Sequence, residues 1–119
     1  MRDWTGHLLV LGLGSSGVAA ARWALGRAAE GASVRVTVVD SGEGAALESR
    51  AEALRQAGAT VCLGTCELPA ADLIVASPGI KPHAAIMEAA RAHGVPIISE
   101  LELAYRVSVA PWVAITGTN

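Results

Sequence analysis

The sequence lacks phenylalanine altogether and has one tyrosine, one lysine and two cysteines among 119 residues. Aromatics make up 3% and apolar residues 52%, so its core has to be built from Ala, Val and Leu, which suits the closely packed interior of an α/β protein. Charge of one sign is missing too: 9 basic residues face 11 acidic ones, which leaves no electrostatic footprint for nucleic acid or an anionic membrane. The lone lysine, Lys81, and the scattered arginines form no patch. No apolar run approaches the ~20 residues of a membrane span. The opening Met1 to His7 meets the apolar Leu8 to Leu11 too soon, and without a cleavage pattern, to be a signal peptide. A cytoplasmic chain with no nucleic-acid partner and no membrane span is expected.

Cysteine is too scarce for a structural zinc site. Cys62 and Cys66 form one Cys-x3-Cys pair, two ligands where four are needed, and read as small apolar residues in a reducing compartment. His7, His83 and His93 lie far apart without metal-ligand spacing and read as surface or cap residues. There is no internal repeat and no low-complexity linker.

What is present is an alternation of strand and helix patterns. Leu8 to Leu11 is a continuous apolar run bounded by Gly, the mark of a strand buried on both faces. Ser15 and Ser16 are candidate caps for a helix from about Gly17 to Ala29, ended by Gly31. Val34 to Val39 is β-branched strand ending at Asp40, followed by a helix from about Ala45 to Ala57 and a short strand at Thr60 to Leu63. Asp72 to Ala76 is a further strand, a helix is expected over Pro82 to His93, and Val95 to Ile98 is a last short strand. Ser99 and Glu102 have the spacing of a capping box for a helix reaching Val107, and Pro111 separates it from a final strand. Strands alternating with helices predict a Rossmann-like, doubly wound parallel sheet of about five strands.

Chemistry concentrates in three places. Gly12-Leu13-Gly14-Ser15-Ser16-Gly17 is a Gly-x-Gly-x-x-Gly turn between strand and helix, where a helix N-terminus offers unpaired N–H groups to an anion. Asp40 ends the second strand, where a ribose contact is expected in a dinucleotide fold; Asp40 and Ser41 are equally good caps for the next helix. Ser77-Pro78-Gly79-Ile80 follows the fourth strand. In a sheet ordered 3-2-1-4-5, the loops after the first and fourth strands meet at the topological switch point. Ser15, Ser16, Ser77 and Gly79 are then expected to line one cleft, with Asp40 a strand away. Beyond these, Val113 to Asn119 runs from apolar strand into a Gly-containing turn, the way a phosphate loop begins, and the chain stops before the lysine and hydroxyl residue such a loop needs. A piece of a nucleotide-using enzyme is expected. An NAD(P)- or FAD-dependent oxidoreductase accounts for the first loop and Asp40, as does a non-enzymatic ligand-sensing domain; neither accounts for Thr116 to Asn119.

In combination these motifs resemble the N-terminal domain of the Mur ligases of peptidoglycan synthesis, the branch that adds D-glutamate above all. The resemblance rests on Gly12 to Gly17, Asp40, the run Asp72 to Ile80, Glu100 to Leu103 and Ala114 to Asn119. It implies an ATP-dependent ligase, with Mg2+, that joins D-glutamate to an L-alanyl carboxylate through an acyl phosphate. It also implies that this fold holds the UDP part of a UDP-sugar peptide. Gly14 joins Ser15, Ser16 and Gly17 in the substrate-binding set, the last three matching the family's diphosphate loop. Asp40 and Ser41 match the strand end that meets uracil, and Ser77, Pro78 and Gly79 match the second uridine-side loop. Gly42 stands where some relatives carry a basic residue, which leaves hydrogen bonds to the base. Thr116, Gly117, Thr118 and Asn119 match the start of the ATP loop. By the same resemblance residues 1–99 form the substrate domain and 100–119 open the ATP domain. The catalytic lysines, metal ligands and D-glutamate site then belong to missing central and C-terminal domains, so this piece alone binds uridine nucleotide without catalysing.

Overall fold

The structure, a computed structural model, describes residues 2–108. Along them run β1 (Gly6–Leu11), α1 (Ser15–Ala29), β2 (Val34–Asp40), α2 (Ala45–Gln56), β3 (Thr60–Leu63), β4 (Leu73–Ala76), α3 (Ala85–Ala92), β5 (Ile97–Ser99) and α4 (Glu100–Val107). All the strands pair in parallel, in the order β3-β2-β1-β4-β5. This is the expected doubly wound sheet, with β1 at its centre. Leu11 is level with Val39 on one side and with Ala76 on the other, so the loops leaving β1, β2 and β4 share one rim.

Side chains alternate faces with the two-residue period of a strand. Leu8 and Val10 of β1, Val34, Val36 and Val38 of β2, and Leu73 and Val75 of β4 join one buried cluster, covered by α1, α2 and α4. Leu9, Leu11, Val39 and Ile74 enter the other, covered by α3 through Ile86 and Ala90 and by Cys66, Leu68 and Ala71 of the crossing segment. Leu8, Leu9, Val10 and Leu11 are all fully buried, as a strand sandwiched between two layers requires. Each stabilises the fold by about 1.5–3 kcal/mol relative to exposure. Small Ala20, Ala21 and Ala24 let α1 lie close to the sheet.

Helix starts differ from expectation. Ser15 and Ser16 do not cap α1: Gly14 occupies the extended cap position at φ −81 and ψ −174, no side chain caps the helix, and both serines already belong to its first turn. The helix begins at once because Gly17 has to lie against the turn below it. The helix expected from Pro82 begins only at Ala85, since Ala84 is extended at φ −63 and ψ 148. Lys81 to Ala84 instead form a turn, closed by Ala84 N–H donating to the Lys81 carbonyl at 3.0 Å. Arg91 Nη2 takes up the Pro82 carbonyl at 2.5 Å. The last short strand is displaced to Ile97–Ser99; Pro96 has no N–H to give the ladder, but its carbonyl accepts from Ile74 N–H at 3.0 Å.

Ser99 does cap α4, accepting from Glu102 N–H at 3.0 Å. The reciprocal half of the box is replaced by an ion pair, Arg106 Nε to Glu102 Oε1 at 2.8 Å. Leu103 of α4 is buried in the cluster that α1 and the sheet share, with Val107 packed against it. No helix among the described residues is long and apolar enough to cross a membrane. The final strand and the Thr116 to Asn119 turn lie outside the described residues.

Candidate functional site

The site is built where β1 stops. Gly12 turns the chain at φ +94, a conformation L side chains rarely adopt, and its N–H donates to the Val39 carbonyl at 2.9 Å. A Cβ at Gly12 would also press on Ser77 Cβ at 3.2 Å and Ile80 Cδ1 at 3.4 Å, so the turn after β1 lies directly against the loop after β4. Gly17 is required for another reason: any Cβ there would overlap the Gly12 carbonyl oxygen. Gly14 is the odd member. Its backbone suits any residue, and a Cβ there would meet nothing within 4 Å. The fold does not need a glycine at this position, and the space in front of it is open.

Beyond Gly14, the N–H groups of Ser15, Ser16 and Gly17 open α1 and, as in any helix, have no carbonyl one turn back to bond; the first helical bond is Val18 N–H to the Gly14 carbonyl at 2.9 Å. They present a donor array with the partial positive charge of the helix end behind it. The turn itself is held by Leu13, whose side chain is fully buried. Leu13 N–H donates to Asp40 Oδ2 at 2.8 Å, and Arg50 Nη1 donates to the Leu13 carbonyl at 3.1 Å.

Asp40 therefore ties the end of β2 to the glycine turn. Its second oxygen accepts from Gly42 N–H at 2.7 Å, closing its own turn. The helix-cap alternative for Asp40 and Ser41 does not hold: α2 starts from Gly44, with no side-chain cap. Ser77 N–H donates to the Leu11 carbonyl and Ile80 N–H to the Ser77 carbonyl, both at 3.2 Å, which folds Ser77-Pro78-Gly79-Ile80 back over the sheet end.

Between these loops lies a cleft of about 310 Å³, lined by Gly12, Asp40 and Ser41 on one side and by Gly79, Ile80, Lys81 and His83 with Ala84 and Ile86 on the other. Of the expected residues it brings together Asp40, Ser41 and Gly79. Ser15, Ser16 and Gly17 sit at the neighbouring helix end, and Ser77 is packed under the wall through Gly12 rather than facing the cavity. Lys81, His83 and Arg50 are additions. His83 falls inside the helix expected from Pro82, and Lys81 is read from the sequence only as a lone lysine; the Lys-Pro pair straight after Ser-Pro-Gly-Ile is the available signal. Arg50 had none, because its partner is a backbone carbonyl 37 residues away. A second cavity, of about 400 Å³, lies at the opposite ends of the strands among His7, Thr37 and Thr60. Ligands of open α/β sheets sit at the carboxyl ends, which favours the first. The described residues bring together no group of three or more His, Cys, Asp or Glu that could hold a metal ion. Cys62 and Cys66 are both free.

Residues 6–99 match the family model described as Mur ligase MurD-like, N-terminal domain. Among curated proteins, the chain is similar to a UDP-N-acetylmuramoylalanine--D-glutamate ligase of Frankia casuarinae, 42% identical over 98% of this chain and 25% of the relative. Proteins of the same name from Thermobifida fusca, 45% identical over 95% of this chain and 24% of the relative, and Streptomyces avermitilis, 40% identical over 100% and 26%, are also similar. The chain spans about a quarter of the length of these relatives.

Proposed function

The chain belongs to the MurD-like N-terminal domain family of the Mur ligases, and on that premise we propose that it is the substrate domain of a D-glutamate-adding ligase, holding the UDP moiety of UDP-N-acetylmuramoyl-L-alanine. The observation that carries this reading is the open α1 N-terminus beside the cleft. Its first N–H groups have no carbonyl one turn back to bond, no side chain caps them, and the space at Gly14 is open. Diphosphate oxygens at Ser15, Ser16 and Gly17 gain charge-assisted hydrogen bonds from fixed donors. The uridine then lies in the adjacent cleft, between Asp40 and Ser41 on one wall and the Ser77, Pro78 and Gly79 loop on the other.

In a full-length parent the L-alanyl carboxylate attacks the γ-phosphorus of ATP, releasing ADP and leaving an acyl phosphate. The amine of D-glutamate then displaces phosphate to form the amide. This chain's part is to hold the far end of the nucleotide-sugar, so that binding energy from the uridine positions the carboxylate elsewhere. We place ATP and Mg2+ outside the described residues, with Thr116, Gly117, Thr118 and Asn119 as the beginning of the ATP loop and the substrate domain proper at residues 1–99. No observation favours the oxidoreductase or ligand-sensing alternative.

Titration of the 119-residue chain with UDP, followed by amide NMR, tests the reading. Shifts at Ser15 to Val18 and at Ser77 to Ile80 are expected. Tight NADH binding at the glycine turn with UDP silent overturns it in favour of a dehydrogenase.

A further inference from the structure

The cleft poses an electrostatic problem for the ligand just proposed. Asp40, an acidic side chain, lies in its wall with both carboxylate oxygens held by backbone N–H groups, at 2.8 Å from Leu13 and 2.7 Å from Gly42. A nucleoside diphosphate brings further negative charge to the same end of the sheet. A full positive charge in the cleft would offset it beyond what the partial charge of the helix end supplies. Arg50, which donates to the Leu13 carbonyl, does not line the cleft, and Gly42, two residues past Asp40, carries no charge.

The opposite wall supplies one. Lys81 is the only lysine in the sequence, and it lines the cleft one residue after Ile80, whose side chain touches the glycine turn. Its backbone is fixed by the turn that Ala84 N–H closes on the Lys81 carbonyl at 3.0 Å. Its ammonium group makes no hydrogen bond or ion pair with any of the described residues, while the other cleft residue of formal charge, Asp40, is fully engaged. A long cationic side chain on a fixed turn, bonded to none of the described residues and bordering a cavity, is placed to meet an anion that arrives from outside.

We propose that Lys81 is a specificity-determining residue of this cleft, its ammonium group pairing with the phosphate charge of a bound uridine nucleotide and so selecting nucleotide over nucleoside. The inference rests on the uridine-nucleotide reading above. Lys81 complements the α1 donors from across the cleft: the helix end supplies fixed N–H groups, and Lys81 supplies a mobile full charge. Because the side chain is exposed, its contribution falls with ionic strength over a screening length of about 8 Å at physiological salt.

Calorimetric titration of the wild-type chain and of Lys81→Ala, Lys81→Gln and Lys81→Arg with uridine, UMP and UDP tests this, at low and at high sodium chloride. The expected result is a loss of roughly threefold to tenfold in UDP affinity for the Ala and Gln variants, no change for uridine, and retention in Lys81→Arg. The salt dependence of UDP binding should flatten in the two neutral variants. Equal losses for uridine and UDP overturn the inference, because the residue then acts through loop packing; so does unchanged UDP affinity in Lys81→Ala. If the wild-type chain binds neither uridine nor UDP, the uridine-nucleotide reading fails and the inference falls with it.

Discussion

Asp40 Oδ2 accepts the backbone N–H of Leu13 at 2.8 Å, a bond between the end of β2 and the middle of the glycine turn after β1. It joins two loops 27 residues apart in sequence, and Leu13 lies in the core, so water cannot readily replace the lost acceptor. Asp40→Ala should therefore destabilise the fold by about 1–3 kcal/mol as well as weaken nucleotide binding. Urea unfolding measures the first and UDP titration the second. A variant as stable as wild type refutes the strut, and its binding loss alone then reports a direct ligand contact.

The glycines of the turn should separate fold from ligand. Gly17→Ala drives a methyl into the Gly12 carbonyl and should destabilise by about 1–3 kcal/mol or more. Gly14→Ser adds a side chain into open space at a cap position that favours Ser. Stability should hold or rise, while UDP affinity falls because the hydroxyl crowds the diphosphate seat. Unchanged UDP binding in Gly14→Ser would show that the seat lies elsewhere.

Acid should weaken the fold through His7. Burial, and next the Arg35 guanidinium, push its imidazole below the usual 6.5, outweighing the Ala70 carbonyl and the Asp72 carboxylate. The ring is also hydrogen-bonded to buried Thr37 at 2.7 Å. In the unfolded chain the ring protonates near 6.5, and in the folded chain only at lower pH. Stability from this group is therefore complete above that value and is lost as pH falls through the window beneath it. The urea midpoint should drop as pH falls below 6.5, and His7→Gln should flatten the drop. A parallel slope in the variant assigns the effect to other groups.

α4 offers a test of where the substrate domain ends. Leu103 is 2% exposed and belongs to the same cluster as Leu8 and Val75. If α4 unfolds together with the sheet, Leu103→Ala should lower global stability by about 2–5 kcal/mol, and Ser99→Ala by about 1 kcal/mol. Hydrogen exchange in which α4 opens alone, with the sheet's protection untouched by Leu103→Ala, supports a boundary at Ser99. A shared loss moves the boundary beyond Val107.

The sheet was legible because its causes are local. Leu8 to Leu11, Val34 to Val39 and Leu73 to Ala76 are runs that only a doubly covered strand can bury, and the right-handed crossover limits how they can be ordered. The glycine turn was legible for the same reason, since Gly12 and Gly17 are needed within six residues of one another. What escaped depends on the folded context. Ser15 and Ser16 have good cap chemistry, yet the contact of Gly17 with Gly12 starts the helix one residue before either can cap it. Pro82 is a good first helical residue, yet its carbonyl is held by Arg91, and the chain turns once more before α3. That extra turn is what brings Lys81 and His83 to the cleft.

The outer strands of the sheet are short: β3 has four residues and β5 three. Another molecule adding a strand to either rim gains only a few ladder bonds, too few to offset the entropy of ordering the newcomer. Within the described sheet the long apolar strands are all interior, and the rims offer poor templates. The architecture that exposes a cleft at one end of the strands thus guards the described sheet at its sides.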